Sequence, residues 1–170
     1  MRLPEHFDSN EWFILVICLF LIVLTAVLKR RMYYSQITVI FTLNFFLGAS
    51  LDYILAGPPH DFYDIMDVPE FEVFDLIIYL FIYPFSGYLL LYLLDLWKLK
   101  RFLVIFYVFF SSFMTTGLEW LANKFNVYEH NEWTYYHSFI AYFLIYCVNA
   151  CAFYWIKKAR RTISEQMLEE

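Results

Sequence analysis

Four side chains able to carry charge stand within otherwise apolar stretches of the chain: Asp52, Asp75, Glu119 and His137. An aspartate at the centre of a membrane helix costs about 2.5–3.5 kcal/mol, so such groups are expected to face a partner or a polar void rather than lipid. Three carboxylates and an imidazole meeting in one place could hold a small cation, relay a proton or grip an amine-bearing lipid headgroup. The same set could act on a lipid or prenyl substrate, with Glu119 or Asp75 as general base or metal ligand and His137 as acid/base. Oxygen donors would favour Mg²⁺ or Ca²⁺, and a single imidazole argues only weakly for Zn²⁺. Against chemistry of the diphosphate kind, the sequence has no paired Asp-rich motif, no Gly-rich phosphate loop, no His-rich metal motif and no nucleophile elbow. These residues fix no cofactor. A third reading is structural: the polar layer locks helix packing, and an acidic loop meets a partner protein.

Helical spacing gives these groups polar neighbours. Ser111, Ser112, Thr115, Thr116, Glu119 and Asn123 recur at steps of three and four. Asn44, Gly48 and Asp52 repeat at four, as do Asp75, Tyr79 and Tyr83, and Pro84 with Gly87 invites a kink in the latter helix. Ser138 and Asn149 share a face, whereas His137 is turned roughly 100° away from Ser138. Plainer roles exist for each. Asp75 can complement a helix N-terminus, Asp52 and His137 can sit hydrated among headgroups, and a Ser/Thr stripe can simply let helices pack closely.

The elements that must carry these residues are membrane spans. With 62% hydrophobic and 24% aromatic residues in 170, the chain holds more apolar side chain than a water-soluble core of that size buries. Lipid takes the excess. Five spans are expected, at about 12–28, 37–56, 73–94, 102–122 and 135–156, in an all-α polytopic bundle forming a single domain. The first span has 17 uncharged residues, the lower end of what crosses a core about 30 Å thick. It reads as an anchor rather than a signal peptide, because acids precede it, Lys29-Arg30-Arg31 follow it and no small-residue cleavage site appears.

Of the twelve Lys and Arg, ten lie in 29–31, 98–101 and 157–161, alternate connections that five spans place on one side. The positive-inside rule puts these in the cytoplasm, so the N-terminus is expected outside and the tail, 157–170, inside, as an extension of the fifth helix with Ile163, Met167 and Leu168 on one stripe. The acids Glu5, Asp8, Glu11, Asp61, Asp64, Asp67, Glu70, Glu129 and Glu132 fall on the opposite side. Nucleic acid is not an expected partner; the bilayer is. The loop 57–70, with Pro58-Pro59 and Pro69, is expected to be acidic and irregular. Cys18, Cys147 and Cys151 all fall inside spans and read as small apolar residues. A chain this small could pair with a second copy or another membrane protein, although no Gly-x-x-x-Gly pair marks a face.

Counting turns along these spans puts Asp52, Asp75, Glu119 and His137 at one depth, the outer third of the membrane. Asn44, Tyr79, Tyr83 and Asn149 could start a polar path inward, but nothing ionisable follows until Asp95, so binding at the outer leaflet is favoured over conduction.

Phe71, Phe74-Asp75, Tyr83-Pro84, Glu119 and the run Trp133 to Phe139 (Trp-Thr-Tyr-Tyr-His-Ser-Phe) resemble an uncharacterised family of small five-span integral membrane proteins of spore-forming firmicutes. The resemblance covers the second span through the fifth. The family's aspartate and proline in one span, glutamate in the next and Trp...His-Ser leading into the last correspond to Asp75, Pro84, Glu119, Trp133, His137 and Ser138. The outer loop departs, with Gly57-Pro58-Pro59-His60 and acids where the family has Tyr-Pro and a basic residue, which argues against an anion held there. The resemblance implies a fold and a location, a bacterial cell membrane, and no activity. Together with the turn counting it gives the expected lining of an outer-leaflet polar pocket: Asp52, Asp75, Glu119, His137, Trp133 and Ser138.

Overall fold

The computed structural model describes residues 3, 4, 6–57, 59–66 and 71–169, without the side chains of Arg101, Arg161 and 163–169. Arg2, Glu5, Pro58, Asp67, Pro69 and Glu70, on which the charge pattern and the loop reading drew, lie outside the described residues, as do the side chains of Ile163, Met167 and Leu168. Helices α1 (Ser9–Val27) and α2 (Tyr34–Leu55) are followed by strand β1 (Tyr63–Ile65). The third span is α3 (Val73–Ile77), a π turn over Ile78–Ile82 and α4 (Tyr83–Trp97). Then come α5 (Arg101–Lys124), strand β2 (Tyr128–His130) and α6 (Tyr135–Glu169). Five helices are thus long and apolar enough to cross a membrane, and the protein is a multi-pass membrane protein.

Four of the five spans share a device at their start. A side chain at the third helical position reaches back to the N–H before the first turn, which would otherwise lack a partner. Glu11 accepts from the Asp8 N–H at 2.7 Å, Gln36 from Tyr33 at 3.0 Å and Asp75 from Glu72 at 2.8 Å. His137 does the same for Thr134 through Nδ1 at 3.3 Å. The third span is interrupted where Pro84 offers no N–H and crowds the carbonyl of Leu80 four residues back; the preceding turn widens into the π turn.

That third span sits at the centre, with α4 against α1, α2, α5 and α6. Two glycines set its approach to α2. A Cβ on Gly87 would lie 2.3 Å from the Asn44 side chain, and one on Gly48 would lie 2.0 Å from the Tyr83 ring. Asn44 also reaches α6: its Nδ2 donates to Asn149 Oδ1 at 2.8 Å, and Asn149 Nδ2 donates back at 3.0 Å. Both amides are buried. The outward faces carry Leu19, Phe46, Phe106, Phe110, Phe113 and Leu144, large apolar side chains suited to lipid. On α5 the hydroxyls of Ser112, Thr115 and Thr116 bond carbonyls four residues back, and Thr115 also meets the Tyr146 hydroxyl at 2.6 Å. The three cysteines are free.

Within the loop 57–70, residues 59–66 are more ordered than the composition suggests. Tyr63–Ile65 pairs antiparallel with Tyr128–His130 in the α5–α6 connection, in the register Tyr63 to His130 and Ile65 to Tyr128. The Met66 N–H extends the pairing to the Val127 carbonyl at 3.0 Å. Three residues are too few to show a period in sequence, and the partner strand lies beyond two intervening spans. The pair caps one end of the bundle, while the loops carrying Lys29–Arg31 and Lys98–Arg101 lie at the other.

Candidate functional site

Beneath the strand pair, all five spans line a partly open cavity of about 300 Å³. Small-molecule pockets span roughly 300–1,000 Å³, so this is a void of ligand size at the small end of that range. Most of its wall is apolar: Ile17 and Phe20 from α1, Leu47 and Leu51 from α2, Ile82 from the π turn and Leu118 from α5. Its polar groups gather around two carboxylates, Asp52 and Glu119, each 8% exposed.

Asp52, in the last turn of α2, is held by two phenols. Tyr63 from β1 donates to Oδ1 at 2.6 Å, and Tyr83 from α4 donates to Oδ2 at 2.8 Å. The Tyr83 hydroxyl in turn lies 3.3 Å from that of Tyr128 on β2. Burial first, and the charge of Asp52 next, push the phenols of Tyr63 and Tyr128 well above the usual tyrosine range. Both therefore stay protonated at neutral pH and remain donors.

Glu119, in the last two turns of α5, has a different surround. Ser138 Oγ donates to its Oε1 at 2.6 Å and the Tyr142 hydroxyl to its Oε2 at 2.7 Å, both from α6. The Trp133 indole N–H donates to Ser138 Oγ at 2.7 Å, fixing the direction in which that hydroxyl points. The third neighbour is His130 on β2, whose Nε2 lies 3.1 Å from Oε1. Glu119 thus meets a hydroxyl, a phenol and an imidazole, and the imidazole pairs with it ionically when protonated.

Four of the six expected lining residues, Asp52, Glu119, Trp133 and Ser138, come together around this one cavity. Asp75 and His137 do not line it. The Asp75 carboxylate is turned back to the Glu72 N–H at the start of α3. His137 is exposed, with Nδ1 bonded to the Thr134 N–H and lying 3.0 Å from the Thr134 hydroxyl. Both stand three residues after a helix cap, where the backbone's own unpaired donors compete for the side chain. The imidazole at the cavity is His130, together with Tyr63, Tyr128 and Tyr142, none of which sequence reasoning singled out. The signal lay in alternation: Tyr128 and His130 are two apart, so a strand puts both on one face, but only a strand does so. Among the described residues no three carboxylates, thiols or imidazoles converge as metal ligands would.

The arrangement can accept hydrogen bonds from, or balance the charge of, a polar group placed between Asp52 and Glu119, and can shield an apolar body behind it. No protein-family model matches the chain, and neither a curated protein nor a solved structure is significantly similar to it.

Proposed function

We propose that this protein binds an amphiphile of the outer leaflet of a bacterial cytoplasmic membrane. The head, an amine or another hydrogen-bond donor, lies between Asp52 and Glu119, and the apolar part runs along α1, α2 and the π turn. The observation that carries this reading is the pairing of two buried carboxylates, with their hydroxyl and imidazole partners, with a wall that is otherwise mostly apolar. A bare cation would find oxygen ligands here, but it would leave the apolar wall without a role. A lipid headgroup with its adjoining chain uses both. The basic connections at the far end support an outward-facing cavity by the positive-inside rule, and the resemblance to the spore-former family supports the bacterial membrane.

The test is extraction of lipids from purified protein followed by mass spectrometry. Wild type is expected to retain an amphiphile enriched over bulk membrane lipid, and Glu119→Gln and Asp52→Asn to lose that enrichment at unchanged membrane abundance. A wild-type lipid profile identical to bulk membrane sinks the proposal and leaves the polar layer as helix packing.

The contact of Glu119 with His130 favours a second reading, in which the pair acts as acid and base on a bound lipid or prenyl chain. Conversion of the extracted amphiphile on incubation with wild type, absent with His130→Gln, distinguishes catalysis from binding.

A further inference from the structure

The opposite end of the bundle holds a second polar site, built from side chains the cavity does not use. A pocket of about 220 Å³ opens between the α1–α2 connection, the end of α4 and α6, with Arg31, Asp95, Lys157 and Arg160 around its mouth and Met32 and Phe153 at its base. Asp95 is already committed on both oxygens: Arg31 Nε donates to Oδ2 at 3.1 Å, and Lys157 Nζ donates to Oδ1. Arg160 has a different footing. Its guanidinium lies 3.5 Å over the centre of the Tyr33 ring, and NH1 donates to Ser35 Oγ at 3.2 Å. Among the described residues no carboxylate reaches it.

Three cations therefore stand around a mouth that holds one carboxylate. Two like charges in excess repel one another, and the repulsion is strongest where apolar side chains lower the local dielectric. Stacking on Tyr33 and the Ser35 contact hold Arg160 in place despite this, and a planar guanidinium fixed at its face presents its edge for a forked pair of donors. Arg31 gives Asp95 its Nε–H, which leaves the N–H groups of its terminal nitrogens able to donate to another acceptor. A mouth with two excess positive charges and fork-shaped donors, at the boundary between helix ends and apolar core, matches a phosphate.

We propose that this pocket binds a phosphate-bearing anion, supplied by the headgroup of an acidic phospholipid in the leaflet at this end. The site is independent of the amphiphile cavity. Retention of positive charge for topology alone would need no pocket, and it would treat all the basic residues alike. Arg30 supplies the contrast: it stacks on Tyr34 at 4.2 Å, does not line the pocket, and its removal changes net charge by the same amount.

The experiment is native mass spectrometry of the detergent-purified full chain with equal amounts of dioleoylphosphatidylglycerol and dioleoylphosphatidylcholine. Wild type is expected to prefer the acidic lipid, Arg160→Gln to lose about fivefold in apparent affinity for it, and Arg30→Gln to match wild type. Equal losses in both variants, or none in Arg160→Gln, overturn the proposal. If Arg160→Gln does not fold, equal occupancy of wild type by the two lipids overturns it instead. Adding millimolar inorganic phosphate separates the sources: retention of the lipid is expected, and its displacement assigns the pocket to free phosphate.

Discussion

A carboxylate inside a membrane is defined by what it accepts. Asp52 takes two phenols and Glu119 takes a serine, a phenol and an imidazole, so neither relies on its own hydration. Hydrogen bonds to a charged group contribute about 1.5–3 kcal/mol each. Tyr63→Phe, which removes one while keeping the ring, is expected to lower detergent stability by that order, read as a fall in thermal midpoint; an unchanged midpoint contradicts the tight Tyr63–Asp52 contact. The same phenols give a sign for pH. Because Tyr63 and Tyr128 hold their protons more tightly folded than unfolded, where the ordinary value is about 10, their stabilisation is complete below that pH and fades as pH rises through the higher folded value. Alkaline unfolding monitored by circular dichroism should lose part of its steepness in a Tyr63→Phe, Tyr128→Phe double variant.

At the scale of elements, close backbone approach decides the packing. Gly87 faces Asn44 and Gly48 faces the Tyr83 ring, so Gly87→Ala forces apart α4 and α2 and strains the asparagine pair beyond them. We expect Gly87→Ala to destabilise more than Gly117→Ala, since a Cβ at Gly117 meets nothing within 4 Å. Chemical unfolding of both variants in the same detergent makes the comparison. Span number and rough extent were legible from apolar runs, and two cavity residues, Asp52 and Glu119, from depth and spacing; Trp133 and Ser138 came from the family resemblance. Asp75 and His137 were misplaced because depth says nothing of direction: a side chain at the third helical position can turn to the backbone instead of the bundle. His130 and Tyr128 were hidden because their direction is set by a strand whose partner is more than sixty residues away.

For the whole molecule, the charge pattern predicts which face meets the cytoplasm. Single cysteines at Asp64 and at Lys100, placed in a chain with Cys18, Cys147 and Cys151 replaced by serine, should label oppositely with a membrane-impermeant maleimide on intact cells: Asp64→Cys reacts and Lys100→Cys does not. The reverse result inverts the protein and moves the carboxylate cavity to the inner leaflet. The bundle also has a temporal order written into it. Asn44 and Asn149, 105 residues apart, satisfy each other's amides, and Glu119 depends on Ser138 and Tyr142 from the same late helix. During synthesis, the second and fourth helices therefore reach the membrane before the α6 side chains that complete the partners of Asn44 and Glu119. A ribosome-bound chain stopped before residue 135 lacks Ser138, Tyr142 and Asn149, so these contacts close only once α6 has entered the membrane.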